Sequence, residues 1–134
     1  MIEYLLDTHA LVWLLVADPR LPRSVSTLVE DATAQGRRVA CSAITLVEIV
    51  YLVEKGKLRA EIWDRTIRML QNPTAPLVEI PVTSGIIQHM VAIPREQAAD
   101  MPDRIIAATA LFLRVPLISR DRKIVVDGIP TLWG

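Results

Sequence analysis

Four carboxylates stand out by their surroundings: Asp7, Glu48, Asp103 and Asp121. Asp7 interrupts "YLLDTHALVWLL", falling between two apolar runs that both read as buried. Glu48 lies in "SAITLVEIVYLVEKG", where Ile44, Val47, Tyr51 and Leu52 follow helical i, i+3, i+7, i+8 spacing and Glu48 is i+4 within that stripe. A charge on a buried stripe costs several kcal/mol unless a cation or hydrogen-bond donors meet it. Its bland alternatives are snorkelling or pairing with an arginine. Asp103 opens "DRIIAATALFL", and taken alone it reads as a first-turn acid favoured by the helix dipole, with Asp100 as the cap. Asp121 follows "VPLIS" by two residues and alone reads as a turn residue as readily as a functional one. Asp7 alone reads equally well as a helix cap.

Gathered in one place, four acids repel strongly unless a divalent cation lies among them. Oxygen ligands with no His or Cys companion favour Mg2+ or Mn2+. Such an ion activates water and holds a phosphate for in-line attack. His9 and His89 form no evident pair for metal-free acid–base chemistry and read most simply as packed or surface histidines. Arg104, Arg120, Arg122 and Lys123 flank two of the acids. They are candidates to hold substrate phosphates, or ordinary solvated charge.

The elements that must position these acids follow from hydrophobic periodicity. Residues 2–6 read as a buried strand and 10–17 as a short helix apolar nearly all round. Val25, Leu28, Val29 and Ala32 mark a second helix ended by Gly36. "RRVACS" reads as a strand whose Ser42 caps a helix over 43–55, stopped at Gly56. A helix over 60–70 follows, then a strand at 77–82 placed at a sheet edge by Pro81, and a helix over 84–92 capped by Thr83. A polar loop over 94–102 precedes a helix at 103–114, the strand "VPLIS" and a last short strand "PTLW". Strands alternating with helices imply a mainly parallel sheet covered on both faces. Sites in such sheets lie beyond the carboxyl ends of the strands, where Asp7 and Asp121 fall.

The bulk properties bound the rest. At 134 residues the chain reads as one domain, 1–134, with a core of Val, Ile, Leu and Ala, since 51% of it is hydrophobic and only 4% aromatic. A formal net charge of zero excludes a strongly basic nucleic-acid binder but not a nuclease with a local basic patch. The lone Cys41 can form neither an internal disulfide nor a zinc cluster, which fits a reducing cytoplasm. "MIEYLLD" lacks the positive region of a signal peptide, and no apolar run approaches the roughly 18 residues that span a bilayer. Trp13 lies in a helix apolar all round and Trp63 in the stripe Ile62, Trp63, Ile67 and Leu70; each reads first as a core residue, with a dimer mate or partner helix as the alternative cover.

Taken in order, "LLDTHALVWLL", "SAITLVEI", "DRIIAATALFLRVPLISRD" and "TLWG" resemble the PIN domain in its bacterial VapC-type toxin branch, across essentially the whole chain. The resemblance implies a three-layer α/β/α fold with a central, mainly parallel sheet of about five strands. It implies a Mg2+- or Mn2+-dependent endoribonuclease that leaves a 5′-phosphate and a 3′-hydroxyl. It implies a toxin inhibited by a cognate antitoxin and usually dimeric. Asp7, Glu48 and Asp103 match the family's first three acids and Asp121 the fourth, as metal ligands and catalytic residues. Thr8 and Ser119 match the small hydroxyl residues beside them. Asp100, in "DMPDR", resembles an extra acid of a "DPFDR" subgroup, although "QAADMP" lacks that subgroup's basic-aromatic surroundings.

A receiver-type signalling module and a dehalogenase-type phosphatase are the rival α/β readings. Strand one offers a single acid, "VACSA" offers none, and "DTH" stands where the phosphatase needs Asp-x-Asp. A catalytically inactive PIN-like module that binds RNA or a partner is the non-enzyme alternative, and the presence of all four acids argues against it.

Overall fold

Leu5 and Leu6 are neighbours in sequence and both are buried, which a strand allows only when both of its faces are covered. The same holds for Val39, Ala40 and Cys41, and for Leu117 and Ile118. The computed structural model describes residues 1–96, 100–120 and 128–133 and shows how that cover is built. Strand β1 (Ile2–Leu6) is followed by α1 (Thr8–Leu15) and α2 (Arg23–Ala34), then β2 (Arg38–Ser42), α3 (Ala43–Glu54) and α4 (Ala60–Gln71). Strand β3 (Leu77–Ile80), α5 (Ser84–Met90), α6 (Met101–Leu113), β4 (Leu117–Ile118) and β5 (Thr131–Leu132) complete the order.

The strands form one parallel sheet in the order β3-β2-β1-β4-β5. Alternate residues feed two cores, one on each face. Leu6, Val39, Cys41, Leu77 and Ile118 pack with Leu11, Val25, Ile49 and Ile62 of α1 to α4. Leu5, Ala40 and Leu117 pack with Ile86, Ile106 and Ala107 of α5 and α6. This is the expected three-layer α/β/α arrangement.

Local chemistry sets the boundaries. Helix α1 begins earlier than the apolar pattern predicts because the Asp7 carboxylate accepts from the Ala10 N–H and so caps it. Ser42 and Thr83 cap α3 and α5 as expected. Gly36 and Gly56, with φ of +74° and +75°, close the helices before them. Strand β3 is an edge strand and ends at Ile80, before Pro81. Helix α6 starts at Met101, earlier than expected, because Asp100 is its N-cap and Pro102 sits in the first turn, where a missing N–H costs nothing. Cys41 is fully buried, and that burial, with Glu79 next, pushes its thiol up to about 12.

Candidate active site

Chain direction through the sheet creates the site. From β1 the chain builds outward through β2 to β3, then returns to place β4 on the other side of β1. The carboxyl ends of β1 and β4 therefore flank a topological switch point, where connections diverge and leave a crevice. Asp7 stands in it. Its N–H donates to the Ile118 carbonyl at 3.0 Å, tying it to β4. Its Oδ1 accepts from the Ala10 N–H at 2.9 Å and its Oδ2 from the Ser119 hydroxyl at 2.6 Å. The cap and the functional group are thus one carboxylate, held on both oxygens and only 6% exposed.

Glu48 meets it from α3. The Thr8 hydroxyl donates to Glu48 Oε1, and Thr8 Oγ1 lies 3.1 Å from Thr45 Oγ1, so Thr45, Thr8 and Glu48 form a relay of hydroxyls ending on the carboxylate. The stripe expected around Glu48 needs correction. Val47 and Tyr51 are exposed, and the buried face of α3 runs through Thr45 and Ile49. Glu48 stands half-buried beside that face. Among the described residues no lysine or arginine forms an ion pair with it, so the arginine-partner alternative has no support. Burial raises its pKa above the usual carboxylate value. The Thr8 hydrogen bond and His9 pull it down, and the charges of Asp7 and Asp100 push it further up.

Asp103 lies in the first turn of α6, and Asp100 is the N-cap residue, with no capping hydrogen bond from its side chain. Asp100 is the acid that reading by residue type undervalues. It is felt electrostatically by Glu48, while the sequence offers a plain capping role for it. Thr45 was legible in principle, lying three residues before Glu48 on the same helix face. Asp121, Arg122 and Lys123 lie outside the described residues. Among the described residues no three His, Cys, Asp or Glu side chains converge closely enough to hold a metal ion by themselves.

The flanking cations divide. Arg104, expected near RNA phosphates, donates instead to the carbonyls of Met90 at 2.9 Å and Ile93 at 3.1 Å. The Met90 carbonyl, at the end of α5, also accepts from the Ile93 N–H at 3.1 Å, and with the Ile93 carbonyl in the turn beyond it is met by the guanidinium, which so helps to terminate the helix. Arg120 is exposed, with its guanidinium carbon 5.6 Å from the centroid of the Trp13 ring. His9 is exposed and packs on Trp13 at 5.6 Å. His89 donates from Nδ1 to the Gly85 carbonyl at 2.9 Å and meets Phe112 edge-on at 5.6 Å. Trp13 is covered within the chain, by His9, Trp133, Arg20 and Arg120, so it needs no partner to bury it. Arg20 and Lys57 had no signal in the sequence, because nothing in their local spacing brings them to Trp13 and Thr8.

Oxygen donors alone, a carboxylate raised by burial and then by its acidic neighbours, and hydroxyls that fix the acids suit a hard divalent cation. The comparisons agree in fold. Over 136 residues the chain is 27% identical to Ribonuclease VapC22 of Mycobacterium tuberculosis, covering 99% of this chain and all of that one. It superposes on VapBC2 from Rickettsia felis, solved bound to a DNA fragment from its promoter, with a TM-score of 0.74 at 22% identity over the full length of both chains. A toxin–antitoxin complex from Klebsiella pneumoniae gives 0.64 at 26% identity over 95% of each. Residues 4–126 match the PIN domain, and with Asp7 at the switch point of a five-stranded parallel sheet the chain belongs to the PIN domain family.

Proposed function

We propose that the chain, acting as one PIN domain over residues 1–134, is a divalent-metal-dependent endoribonuclease and the toxin of a toxin–antitoxin pair. Glu48 carries the reading. It is half-buried beside Asp7 and Asp100, its ionised form is disfavoured, and among the described residues no basic side chain pairs with it. A folded protein keeps such an arrangement where a cation completes it. Asp7, Glu48 and Asp103 would hold Mg2+ or Mn2+, with Asp121 joining them. When bound, the ion supplies the positive charge that activates water and offsets charge on the phosphoryl oxygens.

The chain's own residues do the positioning. The Ala10 N–H and the Ser119 hydroxyl lock the Asp7 carboxylate, so it loses little side-chain freedom on taking a ligand. The Thr45–Thr8 hydroxyl relay does the same for Glu48. Similarity to Ribonuclease VapC22 supports RNA as substrate, and similarity to the Klebsiella toxin–antitoxin complex supports a cognate antitoxin. Exposed Val47, Tyr51, Ile87 and Phe112 support a homodimer when that antitoxin is absent.

The test is RNA cleavage by the chain purified free of any partner, with Mn2+ and with excess chelator. Cleavage is expected only with metal. Asp7→Asn and Asp103→Asn are expected to lose about 100-fold or more of the rate while keeping the parent's circular dichroism. Undiminished cleavage in chelator would overturn the reading.

A further inference from the structure

Beside the acids lies a hollow of about 180 Å3 lined by Thr8, His9, Trp13, Arg20, Lys57 and Leu58. Thr8 belongs to both places, since the hydroxyl that meets Glu48 is part of the hollow's rim. Arg20 and Lys57 belong to its lining, with apolar Val12 and Leu52 among the rest, and Glu48 is one hydrogen bond away through Thr8.

The cations are built in. Arg20 is clamped by Asp18 through Nε at 3.1 Å and Nη2 at 2.8 Å, and its guanidinium carbon lies 4.7 Å from the Trp13 ring centroid. The Asp18 carboxylate is held down to about 2, first by the side-chain hydrogen bond from Arg20, so the clamp persists at any working pH. Lys57 is exposed and forms no ion pair among the described residues. Arg120 flanks the same ring from the end of β4. Trp13 is thus a buried pedestal that holds two guanidinium groups at the hollow.

Pockets for whole drug-sized ligands run from roughly 300 Å3 upward, so this hollow takes part of a nucleotide and not all of one. We propose that it seats the sugar and phosphate of the nucleotide adjoining the cleaved bond, with Lys57 and Arg20 on its phosphate. This rests on the ribonuclease reading and adds a subsite that places the strand. A phosphodiester approaching a group of acids is repelled. Lys57 offsets that repulsion one step along the strand, and Arg20, whose charge Asp18 already balances, donates hydrogen bonds that fix the strand's direction across the site. The contact reads backbone, so it carries no base preference.

The test uses a short fluorescent single-stranded RNA and the full chain carrying Asp103→Asn, so that RNA is bound and not cut. Affinity is measured over a salt series, with Lys57→Ala, Lys57→Arg and Arg20→Ala added in turn. Each alanine is expected to weaken binding several-fold, and Lys57→Ala to make the log–log salt dependence shallower by about 0.7, the value for one phosphate contact on a single strand. Lys57→Arg is expected to keep both. In the cleaving parent, Lys57→Ala is expected to raise KM with kcat kept, and its melting temperature to match the parent's. An unchanged salt slope and KM in Lys57→Ala, with RNA still cleaved by the parent, overturns the subsite and leaves the ribonuclease reading standing. A parent that cuts no RNA in Mn2+ overturns both. Alanines that spare RNA but weaken a purified protein partner's binding overturn the subsite in favour of a protein contact.

Discussion

Asp7 caps α1 with one oxygen and accepts the Ser119 hydroxyl with the other, and each contact constrains what a substitution there reports. Asn keeps an oxygen for the cap, whereas Ala would remove about 1 kcal/mol of capping along with the charge, mixing stability with chemistry. Glu48 is different, because its charge works against the fold. Burial and the neighbouring acids raise its pKa, so without metal the folded state binds its proton more tightly than the unfolded chain does. Its favourable contribution is therefore present below the ordinary carboxylate range and is lost as pH rises through the raised value. At neutral pH in chelator, Glu48→Gln should stabilise the protein by about 0.5–1 kcal/mol, a figure kept small because the group is half-exposed and screened. The parent should lose stability more steeply than the variant as pH rises above the ordinary carboxylate range. Mn2+ should raise the parent's melting temperature more than the variant's. A destabilising Glu48→Gln in chelator, with equal shifts in Mn2+, would make Glu48 a structural residue.

Helix α6 carries both Asp103 and the residue that anchors it, Arg104. The guanidinium of Arg104 ties α6 to the carbonyls that close α5, so the orientation of the α6 first turn depends on it. Its Nε is buried without a partner among the described residues, which fits a side chain placed for two carbonyl contacts at the expense of a third. Arg104→Ala should cost about 2–3 kcal/mol in a urea melt, two hydrogen bonds from a charged donor and the exposure of two carbonyls. The salt slope of RNA binding should stay as in the parent. A stable Arg104→Ala with a shallower salt slope would return Arg104 to the RNA surface. At the helix's other end Arg114 takes the left-handed conformation, φ +57°, that usually favours glycine, and so turns the chain into β4.

Across the whole molecule, apolar surface is left over where the sheet's two layers of helices end. Ile87 and Phe112 are about half exposed and Val91 is 87% exposed, on α5, α6 and the turn between them. Phe112 is held in place by the edge of His89 and lies 3.5 Å from where a Cβ on Gly85 would stand, so it is an ordered surface side chain. Fixed apolar groups of this kind suit a partner face. The chain free of antitoxin should sediment as a homodimer, and Phe112→Lys should shift it towards monomer without lowering the melting temperature. A parent that remains monomeric at high concentration would overturn the dimer.

Periodicity and punctuation in the sequence determined the elements and their order, because helix and strand patterns, caps and breakers are local. Asp7, Ser42, Thr83, Gly36, Gly56 and Pro81 each act within a few residues of themselves. The ordered motifs also determined the PIN family, since they record side chains whose types the site needs. Only the tertiary structure decided which acids meet and what surrounds them. Glu48 was singled out for a buried stripe that does not exist, yet it stands beside Asp7 because α3 leaves β2 next to β1. Arg104 neighbours an acid in sequence but turns to α5, because α5 packs against α6 and leaves carbonyls there to be satisfied. Arg20 and Lys57 are remote from the acids in the chain and come to them through Trp13 and Thr8. Electrostatics and burial depend on distance in space. Sequence separation sets those distances within one helix or strand and leaves them open between elements.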